Sequence, residues 1–316
     1  MPRIDLAYRD VVAGSRARLE KLVRARGAAS VRKLYEEAID TLTRRLAAMK
    51  GSRKATSFTA HQMRGYLLQL KAGQTQLSQR LAGGLGEASL KAQTDSIRAV
   101  ARDVARLEKR YTGAVVDIPL EEAARFQGLI DKRRTSLMRA HETSMARYGK
   151  RLVRKMEGQL SQALMVGETP LQAIDRVRVV ADVEWWQAER IVRTELAWAA
   201  NSAAVDSLVE LSTELPDMMQ RWSEHVDDEA YTPLDDRVGD DSLAMHGQVT
   251  TAGGEFVMPP TTRDGRPVAQ SLVGQRWSFP PNRPNCRAVV SPWRKDWGIP
   301  GWMWKGGRRI PIVGGR

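Results

Sequence analysis

The C-terminal third of the chain decides its fold: residues 222–251 read WSEHVDDEAYTPLDDRVGDDSLAMHGQVTT and residues 275–293 read QRWSFPPNRPNCRAVVSPW. Short β-prone segments alternate there with glycine, proline and aspartate, which is typical of short strands joined by turns. These segments lie at 220–223, 248–251, 256–258, 275–279 and 288–290. The pattern predicts a small α+β domain, and the concentration of rare residue types in it indicates a specialised module.

The chain before Pro216 is predicted to be mainly α-helical. Apolar residues recur there at helical spacing, over segments at 15–50, 58–82, 87–111 and from about 117 to 166. The glycines at 83, 84 and 86 predict a break between the second and third helices. Gly167 is a predicted stop and Thr169 with Pro170 a fresh start, with a short helix to about 180 and a further long helix after Asp182.

The sequence therefore predicts an α+β fold, in which a mainly α-helical N-terminal two-thirds with long helices is followed by a small α+β C-terminal domain and an extended tail. Shifts in composition divide the chain into four regions. These are a basic helical region at 1–116, a long-helix core at 117–215, the small α+β module at 216–295 and an extended tail rich in tryptophan and arginine at 296–316.

Charge is distributed unevenly along the chain, whose formal net charge is +13. Residues 1–111 carry 23 Lys and Arg against 10 Asp and Glu, whereas residues 161–242 carry 6 against 18. Such a polarised molecule favours phosphate-rich or acidic partners. Solvated helix faces are the alternative, because the basic residues are dispersed and few aromatic residues lie among them.

Composition excludes several classes of protein. A single cysteine, Cys286, excludes an internal disulfide framework and a cysteine-rich zinc site. No stretch approaches the roughly 18 apolar residues that a membrane-spanning helix needs, and the start, MPRIDLAYRD, lacks the apolar stretch of a secretory signal. We therefore expect no membrane partner, and synthesis in a reducing cytoplasm.

Four acidic residues of one loop are candidates for binding a hard cation such as Ca²⁺ or Mg²⁺. They are Asp235, Asp236, Asp240 and Asp241. Their spacing matches no EF-hand loop, so a solvated acidic loop is favoured. We expect neither a metal nor a cofactor.

His246 and Cys286, with His225, are candidates for a metal site or for a cysteine nucleophile with its base. A small buried cysteine and a hydrogen-bonded histidine in a turn are the simpler interpretation. Glu195 is a candidate catalytic acid in the middle of a helix, with a salt bridge to a nearby arginine as the simpler role.

We interpret these residues as a structural clasp rather than as a catalytic site. Asn285 tolerates turn conformations, and Arg287 can reach carboxylates in forked pairs. We expect Arg287 to be held by an aspartate of the 235–241 loop, with Cys286 buried beside it. The predicted clasp comprises Asp236, Arg237, His246, Asn285, Cys286 and Arg287.

The tail is predicted to bind a partner. Its tryptophans are too apolar to lie in water, and the surrounding glycines and prolines disfavour a helix. We expect residues 296–316 to become ordered only against a partner surface; the alternative is that they fold back on the chain's own helices. The predicted partner-binding residues are Trp297, Trp302, Trp304, Arg308 and Arg309.

Three pieces, taken in order, resemble the Mu F-like minor head protein family of tailed phages, also called phage head morphogenesis proteins. The first piece is IVRTELAWAANSAA at 191–204, with Arg193, Thr194, Glu195 and Asn201. The second is Trp222 followed by Asp235, Arg237, Val238, His246 and Gly247. The third is FPPNRPNCRAVVSPW at 279–293, where the family usually has a second cysteine at the position of Ala288. The resemblance covers about residues 170–293.

The resemblance implies a structural minor capsid protein without enzymatic activity. Such a virion protein binds the portal or the inner capsid wall and aids head assembly, DNA packaging or genome ejection. The implied partners are the phage portal protein, with the major capsid protein and phage DNA as further ones, and region 1–116 would dock on portal or DNA. The implied location is the capsid interior at the portal vertex, in several copies, after synthesis in the host cytoplasm.

Two other functions are kept as alternatives. One is an ADP-ribosyltransferase-like or thiol-dependent enzyme that uses Glu195, His246 or Cys286. The other is a host nucleic-acid-binding regulator, which would need a compact recognition helix or arm that we do not find in the sequence.

Overall fold

The computed structural model describes residues 5–22, 28–48, 58–116, 118, 123–227, 232–234, 238–283 and 286–312. Long helices fill the N-terminal two-thirds and short strands the C-terminal part, so the predicted α+β fold is confirmed. The helices are α1 (Leu6–Lys21), α2 (Ala28–Ala48), α3 (Ala60–Tyr111), α4 (Ala123–Val166), α5 (Pro170–Leu211) and α6 (Asp240–Met245). In the described ranges, no helix is both long and apolar enough to cross a membrane.

The strands are short and mostly lie in pairs. They are β1 (Met219–Ser223), β2 (Val226–Asp227), β3 (Thr232–Pro233), β4 (Val249–Thr251), β5 (Phe256–Val257), β6 (Arg276–Trp277), β7 (Val289–Trp293), β8 (Gly301–Lys305) and β9 (Arg308–Ile312). Each of the five β-prone segments in the sequence overlaps one of these strands, so that prediction is confirmed.

The chain divides into two compact units. The sheet unit comprises Met1–Val23, Ser89–Arg134 and Thr194–Arg316, and the helical unit comprises Arg24–Ala88 and Thr135–Arg193. The boundaries fall inside α3, α4 and α5, so each of these helices contributes a segment to both units.

The helical unit is held by tyrosines that bond to the backbone of α5. The Tyr35 hydroxyl donates to the Ala181 carbonyl at 2.7 Å, and the Tyr148 hydroxyl donates to the Glu184 carbonyl at 3.2 Å. The Tyr35 ring also lies 5.2 Å from that of Trp185. Aromatic rings with a bonded polar end suit a buried position of this kind.

Two of the long helices begin with a reciprocal cap. At the start of α3, Thr59 N donates to Gln62 Oε1 at 3.0 Å and Gln62 N donates to Thr59 Oγ1 at 3.2 Å. Thr169 and Gln172 repeat the arrangement at the start of α5. Each cap satisfies backbone N–H groups that lack a partner within the helix. The predicted stop at Gly167, where φ is +72°, and the start at Pro170 are confirmed.

Three helix boundaries predicted from the sequence are wrong. The helix predicted to begin at residue 15 begins at Leu6, where the Asp5 side chain accepts from Ala7 N, and residues 23–27 of the predicted segment lie outside the described residues. Helix α5 runs through Asp182 without a break, since one aspartate lowers helix propensity only slightly.

The glycines near residue 84 also do not end a helix, because α3 continues through them to Tyr111. A Cβ atom on Gly84 would lie 2.5 Å from Leu34 Cδ1, and one on Gly86 would lie 2.7 Å from Met138 Sδ. These glycines therefore serve the close approach of neighbouring helices.

The sheet unit is built around an antiparallel three-stranded sheet in the order β4-β1-β7. Trp222 on β1 is buried and meets the ring of Phe256 edge to face at 5.3 Å. Its core also contains Ala244 and Met245 of α6, together with Cys286 and Ala288, which lie just before β7. Helix α6 and the segment before β7 are thereby fixed against the same strand.

A pair of glycine substitutions tests the reason for the unbroken helix α3. No atom lies within 4 Å of a Cβ at Gly83, so Gly83→Ala should stabilise the protein by about 1 kcal/mol through helix propensity. Gly84→Ala should be less stable than Gly83→Ala, because Leu34 must move to admit the methyl group. Urea denaturation of the two variants measures this difference, and equal stabilisation by both would contradict the packing explanation.

Candidate functional site: a buried polar junction

The candidate site lies where β1, α6 and the segment before β7 meet, and we call it the Glu224 junction. It comprises Glu224, Ser242, His246 and Cys286, all of which are buried. Glu224 directly follows β1, Ser242 lies within α6, and His246 caps the end of α6. The strand and helix that carry these side chains are both pinned by the apolar core around Trp222.

Glu224 is the centre of the hydrogen bonds in the junction. Its Oε2 accepts from the Ser242 hydroxyl, and its Oε1 accepts from His225 N at 3.0 Å. Its own backbone N–H donates to His246 Nδ1 at 3.1 Å. Glu224 thus ties the end of β1 to Ser242 within α6 and to His246 at the end of α6.

Burial raises the pKa of Glu224 above its ordinary value. The Ser242 hydroxyl and the His225 backbone N–H, which bond to the carboxylate, act in the opposite direction. The charges of Arg16 on α1 and of Arg283 also lower the pKa, but less than burial raises it. The cost of removing the carboxylate from water therefore dominates.

Cys286 lies against the same carboxylate. Its Sγ is 3.6 Å from Ser242 Oγ and 4.0 Å from Glu224 Oε2. Burial, followed by the nearby negative charge of Glu224, raises the pKa of the thiol to about 12. The thiol is therefore protonated at neutral pH, and it acts as a small buried group with a weak donor.

Asn201 joins α5 to the sheet beside the junction. Its Nδ2 donates to the Ala288 carbonyl at 3.2 Å, and its Oδ1 accepts from Val290 N at 2.9 Å. Strand β7 lies at the edge of the three-stranded sheet. One side-chain amide thus bonds to the free backbone edge of β7 in the manner of a neighbouring strand.

A second polar chain crosses β1 and β7 to reach α1. Ser223 Oγ and Ser291 Oγ are 2.7 Å apart, and Ser291 Oγ is 2.8 Å from the Tyr8 hydroxyl. The Tyr8 hydroxyl also donates to the Pro292 carbonyl at 3.1 Å. The buried Arg221 donates to Ser223 and lies over the Tyr8 ring. These bonds fix α1 on the sheet.

Of the six residues of the predicted clasp, two lie in the Glu224 junction, three lie outside the described residues and one pairs with α1. Cys286 and His246 lie in the junction, whereas Asp236, Arg237 and Asn285 lie outside the described residues, as does Asp235. Arg287 pairs with Glu20 on α1 at 3.0 Å. Within the described part of the chain, the aspartates of the acidic loop pair with other arginines, Asp241 with Arg283 and Asp240 with Arg266.

The predicted catalytic and metal candidates can be placed as well. Glu195 is half-buried on α5, and His225 is half-buried beside Glu224. Among the described residues, no group of three or more His, Cys, Asp or Glu side chains is arranged to hold a metal ion.

The prediction of an extended tail at 296–316 is wrong for residues 296–312. A 3-10 turn at Lys295–Trp297 is followed by the antiparallel hairpin of β8 and β9. Trp297, predicted to face a partner, is only 3% exposed, and its Nε1 donates to Glu108 Oε1 at 3.0 Å. Its ring stacks on Tyr111 at 6.1 Å, and Arg294 pairs with the same Glu108 at 2.6 Å. The buried acid near the end of α3 supplies the partner for the tryptophan.

The hairpin of β8 and β9 lies on the Glu224 junction. Trp302 Nε1 donates to the His246 carbonyl at 2.9 Å, and Trp302 N donates to the Gly247 carbonyl at 3.1 Å. Arg309 lies over the Trp302 ring at 4.8 Å and donates to the carbonyls of Ala244 and Thr261. Trp302 and Arg309 therefore hold the hairpin on the chain itself, while Trp304 is half-buried and Arg308 is exposed.

Sequence reasoning missed Glu224, the acid on which the junction depends. The one signal was its position between the apolar residues Trp222 and Val226, because the intervening residues at 221 and 223 are polar although they are also buried. Glu108 was also missed, because its partners Arg294 and Trp297 lie almost 190 residues later in the chain.

Comparisons of the chain with models of protein families, with curated proteins and with solved structures gave no match.

Replacing Glu224 with glutamine should change how stability depends on pH. Because burial raises the pKa of Glu224 above its ordinary 4.5, the folded state binds this proton more tightly than the unfolded state does. The resulting stabilisation is complete below about pH 4.5 and is lost as the pH rises through the folded-state pKa. The free energy of unfolding of the wild type, minus that of Glu224→Gln, should therefore fall as the pH rises over this window.

Urea titrations at a series of pH values measure this difference. The exposed Glu87 supplies a matched control, since Glu87→Gln removes the same charge and should leave the pH dependence unchanged. A wild-type advantage that grows with pH would contradict the prediction, because it would mean that the ionised carboxylate is the stabilised form.

Proposed function

We propose that this chain is a structural minor head protein of a tailed phage, bound at the portal and inner capsid, which aids head assembly, DNA packaging or genome delivery. The observation that carries the proposal is that described residues from each of the three pieces of the family resemblance meet in the sheet unit. Asn201 of the first piece bonds the backbone at Ala288 and Val290 in the third. Trp222 of the second piece shares a core with Cys286 and Ala288.

The geometry of the junction favours a structural role over the enzymatic alternative. Glu224, His246 and Cys286 are exposed by only 1%, 4% and 6%, so a substrate reaches them only if the module opens. Their polar atoms already bond to one another or to the neighbouring backbone. A protonated thiol is also a poor nucleophile, and this weighs against a thiol-dependent enzyme.

A basic face on α4 supports a phosphate-rich partner. Arg139, Arg147, Lys150 and Arg154 are exposed and lie within about 80° of the helix circumference, over roughly 23 Å of its length. Within the described part of the chain, none of these four side chains forms an ion pair. We call this surface the α4 basic face, and we propose that it contacts the backbone of phage DNA without reading its sequence.

The direct test is to locate the chain in particles of the phage that encodes it. We expect cryo-EM of intact heads to place it at the portal vertex, and we expect purified portal protein to retain it after nuclease treatment. Absence of the chain from mature particles and from assembling heads would overturn the proposal. If nuclease treatment abolishes the retention, the chain binds DNA and not the portal protein.

Neutralising the α4 basic face should weaken binding to DNA. Binding of the wild type to duplexes of unrelated sequence should fall steeply with salt, because each phosphate that the protein neutralises releases counterions. Arg147→Gln combined with Arg154→Gln should reduce the slope of log affinity against log salt by about 0.9 for each phosphate that the variant no longer neutralises. Fluorescence anisotropy over a range of salt concentrations measures this slope.

A matched control removes two cations that are already paired. Arg32 bonds to Glu36 and Arg178 to Asp40 at exposed positions of the same unit, so Arg32→Gln with Arg178→Gln changes the net charge equally. This control should retain most of the salt slope. Equal reductions in both double variants would show that net charge, and not the α4 basic face, governs binding.

A further inference from the structure

An apolar stripe lies exposed on the surface of α5 in the helical unit. Val179, Val183 and Trp186 are spaced by four and three residues, which places them on one face of the helix. Their exposed fractions are 60%, 59% and 50%. Contiguous apolar surface of this kind marks an interaction site more often than single exposed residues do.

A groove between α4 and α5 runs beside this stripe. It has a volume of about 580 Å³ and is lined by Val179, Val180 and Val183, with Lys155 and Gln159 on the α4 side. Seven of its ten lining residues are polar or charged, among them Lys155, which pairs with Glu184 at 2.5 Å. The three valines form an apolar wall that a large aromatic side chain from another molecule can contact.

Opposite charges stand at the two ends of the stripe. Asp175 is exposed toward the start of α5, and Arg190, whose guanidinium lies 5.3 Å from the centre of the Trp186 ring, stands toward the end of the stripe. Both charges lie within about 80° of the helix circumference together with the apolar residues. The face is thus acidic at one end and basic at the other, and the exposed Asp182 lies beside the apolar residues in the middle.

This order of charges is complementary to itself. If a two-fold axis crosses α5 between Asp182 and Val183, an antiparallel second helix places Asp175 opposite Arg190, Val179 opposite Trp186 and Asp182 opposite Val183. Each of these contacts then forms twice, as in any two-fold symmetric interface. The same arrangement directs the indole of one copy toward the valine-lined groove of the other.

We propose that the occupant of this face is a second copy of the same chain, docked antiparallel through α5, with Trp186 of each copy seated in the groove of the other. The interface consists of two buried indoles, each able to bury roughly 150–250 Å², flanked by two Asp175–Arg190 pairs. The charged pairs set the register, and the apolar residues supply most of the binding energy. The inference is independent of the function proposed above.

Sedimentation velocity of the purified full-length chain tests the proposal. The wild type should convert from monomer to dimer as its concentration is raised to roughly 100 µM, and Trp186→Glu should weaken dimerisation by at least about tenfold. Leu68, exposed by 69% on α3 of the same unit, supplies the matched control, because Leu68→Glu should dimerise like the wild type. Far-UV circular dichroism verifies that each variant is folded.

Charge exchange provides a second and more specific readout. Asp175→Arg alone and Arg190→Asp alone should each weaken the dimer, since each places like charges opposite one another. The double variant should restore association, which a merely unfolded variant cannot do. A wild type that remains monomeric over the whole concentration range would overturn the proposal, and so would a dimer insensitive to Trp186→Glu or a double variant no tighter than the single ones.

Discussion

Removing a carboxylate from water costs several kcal/mol unless bonded partners replace the lost hydration, and the packing of the sheet unit depends on meeting this requirement. The Glu224 carboxylate accepts a hydrogen bond from Ser242 on α6. Glu108 forms a salt bridge with Arg294, and Asp206 forms salt bridges with Lys132 and Arg133 on α4. In each case the acid and its partner come from different elements of the chain. Because an unpaired buried charge is strongly destabilising, the element that carries each partner must pack beside the buried acid.

The sequence predicts the features of the fold that depend on residues close together in the chain, and it misses those that depend on distant residues. Helical periodicity, the stop at Gly167 and the short strands were readable, because each depends on residues close together in the chain. Gly84 was misread as a helix breaker because its reason lies in a different helix, at Leu34. The fold-back of the tail was only the less favoured alternative for the same reason, since the surroundings of Trp297 are set by α3, almost 190 residues earlier. Of the junction, Cys286 and His246 were found by their rarity, whereas Glu224 belongs to a common residue type.

Four of the residues that carry the family resemblance are interior. Asn201, Trp222, His246 and Cys286 are all buried, and they bond to or pack against one another's elements. Such residues specify an architecture and leave the solvent-facing residues free to vary. What distinguishes this chain from others with the same interior must therefore lie on its surface. The proposed contact with DNA on the α4 basic face and the proposed contact with a second copy on the apolar stripe of α5 both lie on this surface.

The bond between Tyr8 and Ser291 joins residues 283 positions apart, and this separation has a consequence for synthesis. A ribosome releases α1 long before it makes β7, so Tyr8, which is buried in the finished protein, emerges without the strand to which its hydroxyl bonds. Contacts so distant in sequence form slowly and late. Nascent chains cut short before β7 would therefore lack the bonds from Tyr8 to Ser291 and Pro292, and only chains translated past residue 292 would acquire this connection between α1 and the sheet.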